Sequence, residues 1–511
     1  MRRVFLSVLC LLCIIATVNT HGVRAESTTA PDILADTTPR IETAKDITDK
    51  SRITAQGFSR AWTMTDEAFR YYAEGGASAT VSITAQESIG GIYILFDSEY
   101  SGWSIDDGKG SSYVQNDFYI HQYLDTAALF GDECKSLTLT FSEAGAKITE
   151  IYVLGRGACP DWVQRWEPTP SETDIRLISA HSDDEHLFFA GILPYYTAKG
   201  RIVTVAYLTE HNDKHERRHE RLNGLWTAGV RSYPLVLGIN DSYSTDLEWA
   251  KRNLKSDGHS VDEVDSLLVE LLRRTKPMVV FTHDFAGEYG HGQHMLLADS
   301  LTRALTASSD SEKYPESAAK YGAYDVPKTY YHLYKENAIR FDWDVPLDEL
   351  GGKSPFEVSR KAFLCHTSQV DSKFYRWLFG ETGVEVKAAV DITEHSPLEF
   401  GLYRSTVGLD SGIGDVFENL TPYSDEGKEV VDTTEVTEAD TTPETLPETL
   451  PETTSDEVIE PVIIPVTDTA ASPDDDSDGI GARVALFVAA IAAVGVVCAC
   501  MIVRPKKPKK K

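Results

Sequence analysis

Two apolar runs in this chain each end abruptly in a cluster of ionisable side chains, and that repeated pattern fixes the fold class. The first run, Ile175 to Ala180, reads as a buried strand and stops at His181, Asp183, Asp184 and Glu185. The second, Met278 to Phe281, runs into a polar loop that ends in His291-Gly292-Gln293-His294. A helical pattern, Met295 to Leu305, begins there. Further strand-like runs near 202–209 and 234–238 alternate with helical stretches, among them Val261 to Arg273. Alternation of this kind predicts a Rossmann-like α/β domain, with both polar clusters at the carboxyl edge of one parallel sheet, where ligands bind.

The residue types at that edge are those of an open metal site with a carboxylate beside it. Two imidazoles and one carboxylate leave a coordination position free, whereas a closed structural site has four protein ligands. The neighbours Asp183 and Asp184 do not easily ligate one ion together, so one binds and the other is free to take a proton. A charged loop capping a helix is the plain alternative for the first cluster alone. The second cluster, built on the same plan, weighs against it.

Three motifs resemble those of the PIG-L (LmbE-like) N-acetylglucosaminyl deacetylase family. They are Ala180-His181-Ser182-Asp183-Asp184-Glu185, Gly290-His291-Gly292-Gln293-His294, and Arg217-Arg218-His219-Glu220 with Ala228-Gly229-Val230. The resemblance covers roughly residues 172–420. It implies a metal held by His181, Asp184 and His294, with Asp183 as the general base. It also implies that His291 stabilises the oxyanion or protonates the leaving amine, that Tyr289 reaches into the active site and that Arg217 contacts substrate. The implied cofactor is Zn2+ or another divalent metal such as Fe2+, since this ligand set suits iron and cobalt too. Two positions depart from the family pattern: Ser182 stands in place of a Pro, and Gln293 in place of an Asp expected to orient His291.

Other histidines compete for attention. His211, His215 and His219, spaced by four, would share one helix face, and a solvated charged helix is favoured over a second metal site there. His186 is expected to pack or to support the site. His366, in a segment resembling a family helix that ends in Ser-Gln, is expected to be structural or at the substrate rim.

Composition organises the rest. The 511 residues have room for two or three domains. The start reads as a signal peptide (1–25). Residues 40–157 carry alternating runs, Ala79 to Ile83 and Ser136 to Phe141, and predict an antiparallel β-sandwich that weakly resembles discoidin-like or carbohydrate-binding modules. There Trp62, Trp103 and Tyr113 either stack on sugar rings or fill a core. Residues 425–479 hold eighteen acids against Lys428 and read as an extended stalk. An apolar run, 484–503, is long enough to span a bilayer. The basic tail, 504–511, places its far end in the cytoplasm. Over half of the net charge of −30 therefore sits in the tether, and the balance argues against nucleic-acid binding. Cys134 and Cys159 flank the end of the expected sandwich and are candidates to pair.

The sequence thus predicts a single-pass cell-membrane protein with an extracytoplasmic catalytic domain. It would remove N-acetyl groups from N-acetylglucosamine-type sugars of a glycan or glycoconjugate. The alternatives are a catalytically weak surface glycan-binding protein, favoured by Gln293, and an amidase acting on another N-acyl substrate.

Overall fold

Alternation decides the first part of the chain. β1 (Arg52–Ser59), β2 (Ala73–Thr84), β3 (Gly91–Phe96), β4 (Trp103–Asp106), β5 (Ser112–Gln115), β6 (His121–Asp125), β7 (Ser136–Phe141) and β8 (Lys147–Leu154) are all joined by antiparallel pairing. A short helix, α1 (Thr126–Phe130), follows β6. Ala79, Val81 and Ile83 of β2 face inward, as do Leu137, Leu139 and Phe141 of β7, because every second side chain shares a face. The ladder is continuous from β5 to β6: β2 pairs with β8 at Ala73–Glu74 and with β7 at Ala79–Thr84.

This unit decides two points that the sequence leaves open. Trp103 is fully buried, stacks on Phe141 and donates from Nε1 to Gln122 Oε1 at 2.8 Å, so it is core and no sugar platform. Trp62 and Tyr113 remain exposed. Cys134 and Cys159 are free thiols, not a disulfide.

The computed structural model describes residues 42–211, 214–370, 372–411 and 415–426. The expected signal peptide, nearly all of the stalk, the 484–503 run and the basic tail lie outside the described residues. Among the described residues no helix is long and apolar enough to cross a membrane.

The second part is α/β. Its strands are β9 (Thr173–Ser179), β10 (Val203–Glu210), β11 (Leu235–Asn240), β12 (Pro277–Thr282), β13 (Lys328–His332) and β14 (Ala338–Arg340). A hairpin of β15 (Gly380–Glu381) and β16 (Val384–Glu385) and the late strand β17 (Glu399–Ser405) complete the set. The sheet order is β11-β10-β9-β12-β13-β17-β14, with the first five strands parallel and the last two added antiparallel. Every residue of β9 is buried, as a central parallel strand covered on both faces requires. Ile175 and Leu177 face one core, and Ile178 and Ala180 face the other.

Helices cover both faces. They are α2 (Ile192–Ala198), α3 (Glu216–Thr227), α4 (Leu247–Ser256), α5 (Val261–Thr275), α6 (Gly292–Ser308), α7 (Pro315–Tyr321), α8 (Pro355–Phe363) and α9 (Lys373–Phe379). Several of them start at side-chain caps: Ser260 caps α5, and Ser354 with Glu357 forms a capping box on α8. The chain runs outward from β9 through β10 to β11, then returns to β12 on the other side of β9. That reversal opens a crevice at the carboxyl ends of β9 and β12, the place where such sheets take ligands.

Helix α3 also holds the antiparallel unit. His219 Nδ1 and His121 Nε2 are 2.9 Å apart, and Arg218 donates to the Asp97 carbonyl at 3.0 Å. His211 lies before the helix, beside Ser182, and His215 faces Asp97 at 2.8 Å. The three histidines therefore share no face, form no metal cluster and are not a solvated stripe: His211 and His219 are buried.

Candidate metal centre

The five parallel strands all deliver polar groups to their carboxyl ends. After β9 come His181 to Asp184; after β10, His211; after β11, Asp241; after β12, His283 and Glu288; and β13 ends in His332. His291 caps α6, its Nδ1 accepting from the Gln293 N–H at 3.3 Å, and this places His294 in the first turn.

Three donor atoms converge. His181 Nδ1 lies 3.1 Å from Asp184 Oδ2 and 3.2 Å from His294 Nε2, and the last two atoms are 3.3 Å apart. Tetrahedral bonds of about 2.0–2.1 Å place ligand atoms about 3.3–3.4 Å from one another, so this triangle suits one zinc-sized ion with a position open. The outer nitrogens settle the tautomers. His181 Nε2 donates to Gln293 Oε1 at 3.0 Å and His294 Nδ1 to Glu288 Oε2 at 2.6 Å, so a cation that displaces the inner proton would meet a lone pair on each ring. Burial lowers the His294 pKa, but Asp184 and Glu288 outweigh it and push the value up to about 10. A cluster that draws in positive charge this strongly fits a divalent cation.

The Gln293 side chain does not hold His291, contrary to the expectation from its place in the motif; only its backbone N–H reaches that ring. Its amide fixes His181 through Oε1 and donates from Nε2 to the Asn240 carbonyl at 2.8 Å. His291 stands with its ring 4.6 Å from that of His181 and 4.7 Å from that of His294, and with those two it forms a second set of converging donors. Burial and the two neighbouring rings keep its pKa well below the usual imidazole range.

Asp183 stands beside the triangle in a conformation that L-residues rarely adopt, φ 143°. Its N–H donates to Glu185 Oε2 at 2.8 Å. Arg217 holds it from the other side, 3.2 Å from Oδ1, while also donating to the Ser182 carbonyl at 2.6 Å. Burial raises the Asp183 pKa to about 7, against the pull of Arg217 and with a further push from Asp184. Arg217 is buried and turned onto the Asp183 loop. Tyr289, also at positive φ, is half-buried, with its ring 5.5 Å from His291 and 5.6 Å from His294.

Residues 176–305 match the family model described as GlcNAc-PI de-N-acetylase, PIG-L. This stretch carries a PIG-L domain. Among similar proteins is the 1D-myo-inositol 2-acetamido-2-deoxy-alpha-D-glucopyranoside deacetylase of Thermomonospora curvata, 26% identical over 262 residues, or 46% of this chain and 80% of that protein. The N,N'-diacetylchitobiose deacetylase of Pyrococcus horikoshii is 16% identical, with 42% of this chain and 80% of that one covered and a TM-score of 0.30. An F5/8 type C domain from Bacteroides fragilis covers 22% of this chain and 96% of its own, at 11% identity and a TM-score of 0.18.

The PIG-L domain also uses residues that the motifs do not reveal. Glu288 is a hub: its Oε2 accepts from His283 Nδ1 at 2.7 Å as well as from His294, and its Oε1 accepts from His332 Nδ1 at 2.6 Å. His283 Nε2 accepts the Ala180 N–H at 2.9 Å and so is not free for a metal. Asp241 closes the other flank, 3.6 Å from His181 Nε2 and 3.1 Å from His211 Nδ1. A single His directly after β12, and a Glu six residues before His294, were the only traces in the sequence.

Proposed function

We propose that this PIG-L protein is a metal-dependent hydrolase that removes the N-acetyl group from N-acetylglucosamine-type amino sugars. The observation that carries the reading is the convergence of His181 Nδ1, Asp184 Oδ2 and His294 Nε2 beside a buried carboxyl group, Asp183, that is held by Arg217 and is not one of the three. A divalent metal bound there supplies Lewis-acid polarisation of the amide carbonyl and makes water more acidic.

The chain's own groups do the rest. Asp183, buried beside the triangle and oriented by Arg217, takes the proton of the attacking water. His291 stands across the triangle, placed to stabilise the oxyanion or pass a proton to the leaving amine. Tyr289 lines the same side. Arg217 fixes Asp183 through Oδ1 and the Ser182 carbonyl; direct contact with substrate is a further part of the proposal.

Several features support an amino-sugar substrate. The name of a similar protein specifies a 2-acetamido-2-deoxy-glucopyranoside. Tyr243 is 63% exposed with its ring 5.4 Å from His291, and the exposed Trp249 adjoins it, a rim suited to the face of a sugar ring. We also propose, from the sequence, that the enzyme works outside a membrane to which its C-terminal run anchors it, on a glycan or glycoconjugate. The case for an inactive glycan binder rested on Gln293, which here orients His181.

The test is acetate release from N-acetylglucosaminyl oligosaccharides and monosaccharides by the purified chain, with Zn2+ and after chelation. The expected result is metal-restored release. Metal bound in stoichiometric amount without release from any amino sugar would overturn the substrate class.

A further inference from the structure

Glu185 and His186 directly follow Asp184, yet they belong to a different cluster. His186 meets His366, which follows α8, and all three side chains are fully buried. None of the four ring nitrogens has a hydrogen-bond partner. Both Nε2 atoms face the same carboxylate oxygen, Glu185 Oε1, His186 at 3.5 Å and His366 at 3.8 Å. The three donor atoms lie within 4.8 Å of one another.

The space they face is kept open. A Cβ at Gly224 of α3 would lie 2.6 Å from His186 Nε2 and 2.9 Å from His366 Nε2, so both ring tips point at one spot beside bare helix backbone. The surrounding frame is rigid. Glu220 accepts from Thr367 Oγ1, Ser368 N–H and Ser368 Oγ at 2.6–2.7 Å, which fixes the turn after His366. Tyr207 donates to Glu185 Oε1 at 2.6 Å, and the Asp183 N–H donates to Oε2. Of the nearby guanidiniums, Arg217 pairs with Asp183 at 3.2 Å, and Arg221 lies 3.7 Å from Glu210 with its Nε and Nη1 unpartnered.

Buried polar nitrogens find partners in nearly all native proteins. Four are left over on two rings, and the two Nε2 atoms among them face one carboxylate oxygen, the arrangement of a ligand set. We propose that Glu185, His186 and His366 form a second, fully buried metal site that takes a divalent ion of the zinc class. Two imidazoles and a carboxylate suit zinc, iron(II) or cobalt(II) and are poor partners for magnesium or calcium. Through Glu185 the site would steady the Asp183 loop, a positioning role with no contact to substrate. The inference does not depend on the activity proposed for the first centre.

The experiment is metal content per chain, by mass spectrometry of the full chain loaded with Zn2+ and separately with Co2+. The expected result is two ions in the unaltered chain, one in His294→Ala and one in His366→Gln. His294→Ala keeps the whole second site, so Co2+ bound to it should give ligand-field absorption, which adding Gly224→Ala should weaken at least tenfold in affinity. One ion in the unaltered chain and none in His294→Ala would overturn the proposal and leave a bridging water as the occupant. The His294→Ala arm keeps the test decisive if His366→Gln does not fold.

Discussion

Two pairs of buried histidines lie against helix α3, and the chain treats them differently. In the His121–His219 pair the rings meet at 2.9 Å, Tyr93 closes one outer nitrogen at 2.8 Å and Thr149 the other at 3.4 Å. Every nitrogen has a partner, and the pair ties the antiparallel unit to the α/β domain. In the His186–His366 pair no nitrogen has one. Burial is the same, so burial does not explain the difference. The fold satisfies histidines that serve as structure, which makes the unsatisfied pair the exception that asks for a ligand. The centre at His181, Asp184 and His294 resembles the first pair in its outer nitrogens and the second in its inner ones: donors tied down behind, nitrogens converging in front.

The largest effect should come from the front of that centre. His294→Ala removes one corner of the triangle, and acetate release is expected to fall to background, with metal lost from the first site. Release at the unaltered rate would mean that His291 and His181 hold the ion instead. Next comes the support behind it. Glu288→Gln keeps the shape but removes the charge that faces three histidines, and should weaken metal binding about 10–100-fold in a chelator competition. Unchanged affinity would make Glu288 a packing residue only.

Smaller effects test the histidine pairs. Gly224→Ala pushes a methyl group against both ring tips of His186 and His366 and should cost about 1–3 kcal/mol in denaturant unfolding without added metal. No cost would show that the rings move freely. The His121–His219 pair predicts a pH slope. Burial pushes the His121 pKa down to about 3, whereas an unfolded histidine titrates near about 6.5. Between those values the unfolded chain binds a proton that the folded chain excludes. Stability should therefore fall as pH falls below about 6.5, by at most about 1.4 kcal/mol per pH unit from this group. His121→Gln should flatten that slope, and an unchanged slope would assign it to other groups.

Those contrasts also show what the sequence could reveal. The five motif residues His181, Asp183, Asp184, His291 and His294 sit in two short stretches directly after strands, so local pattern alone brings them to one edge. Glu288, His283, His332 and Asp241 arrive from separate strand ends, and only the β11-β10-β9-β12-β13 order gathers them. Spacing misled for His211, His215 and His219, because α3 begins at Glu216 and only His219 lies within it. Of the four strands read in the α/β domain, β9, β10 and β12 were legible because each is a nearly uninterrupted buried run, whereas β11, at the sheet edge, is an apolar run that the fold buries only in part. Trp103 was ambiguous because an aromatic on an alternating strand serves either face until register is known; pairing with Phe141 puts it inside.

The central claim is that Asp183 acts as the base beside a metal held by other residues. Its most direct test is Asp183→Asn in the full chain, with metal content and acetate release measured on the same Zn2+-loaded sample. The account predicts unchanged metal content and a loss of about 10²–10⁴-fold in kcat. Full activity in this variant, or loss of the first-site metal along with the activity, would contradict it.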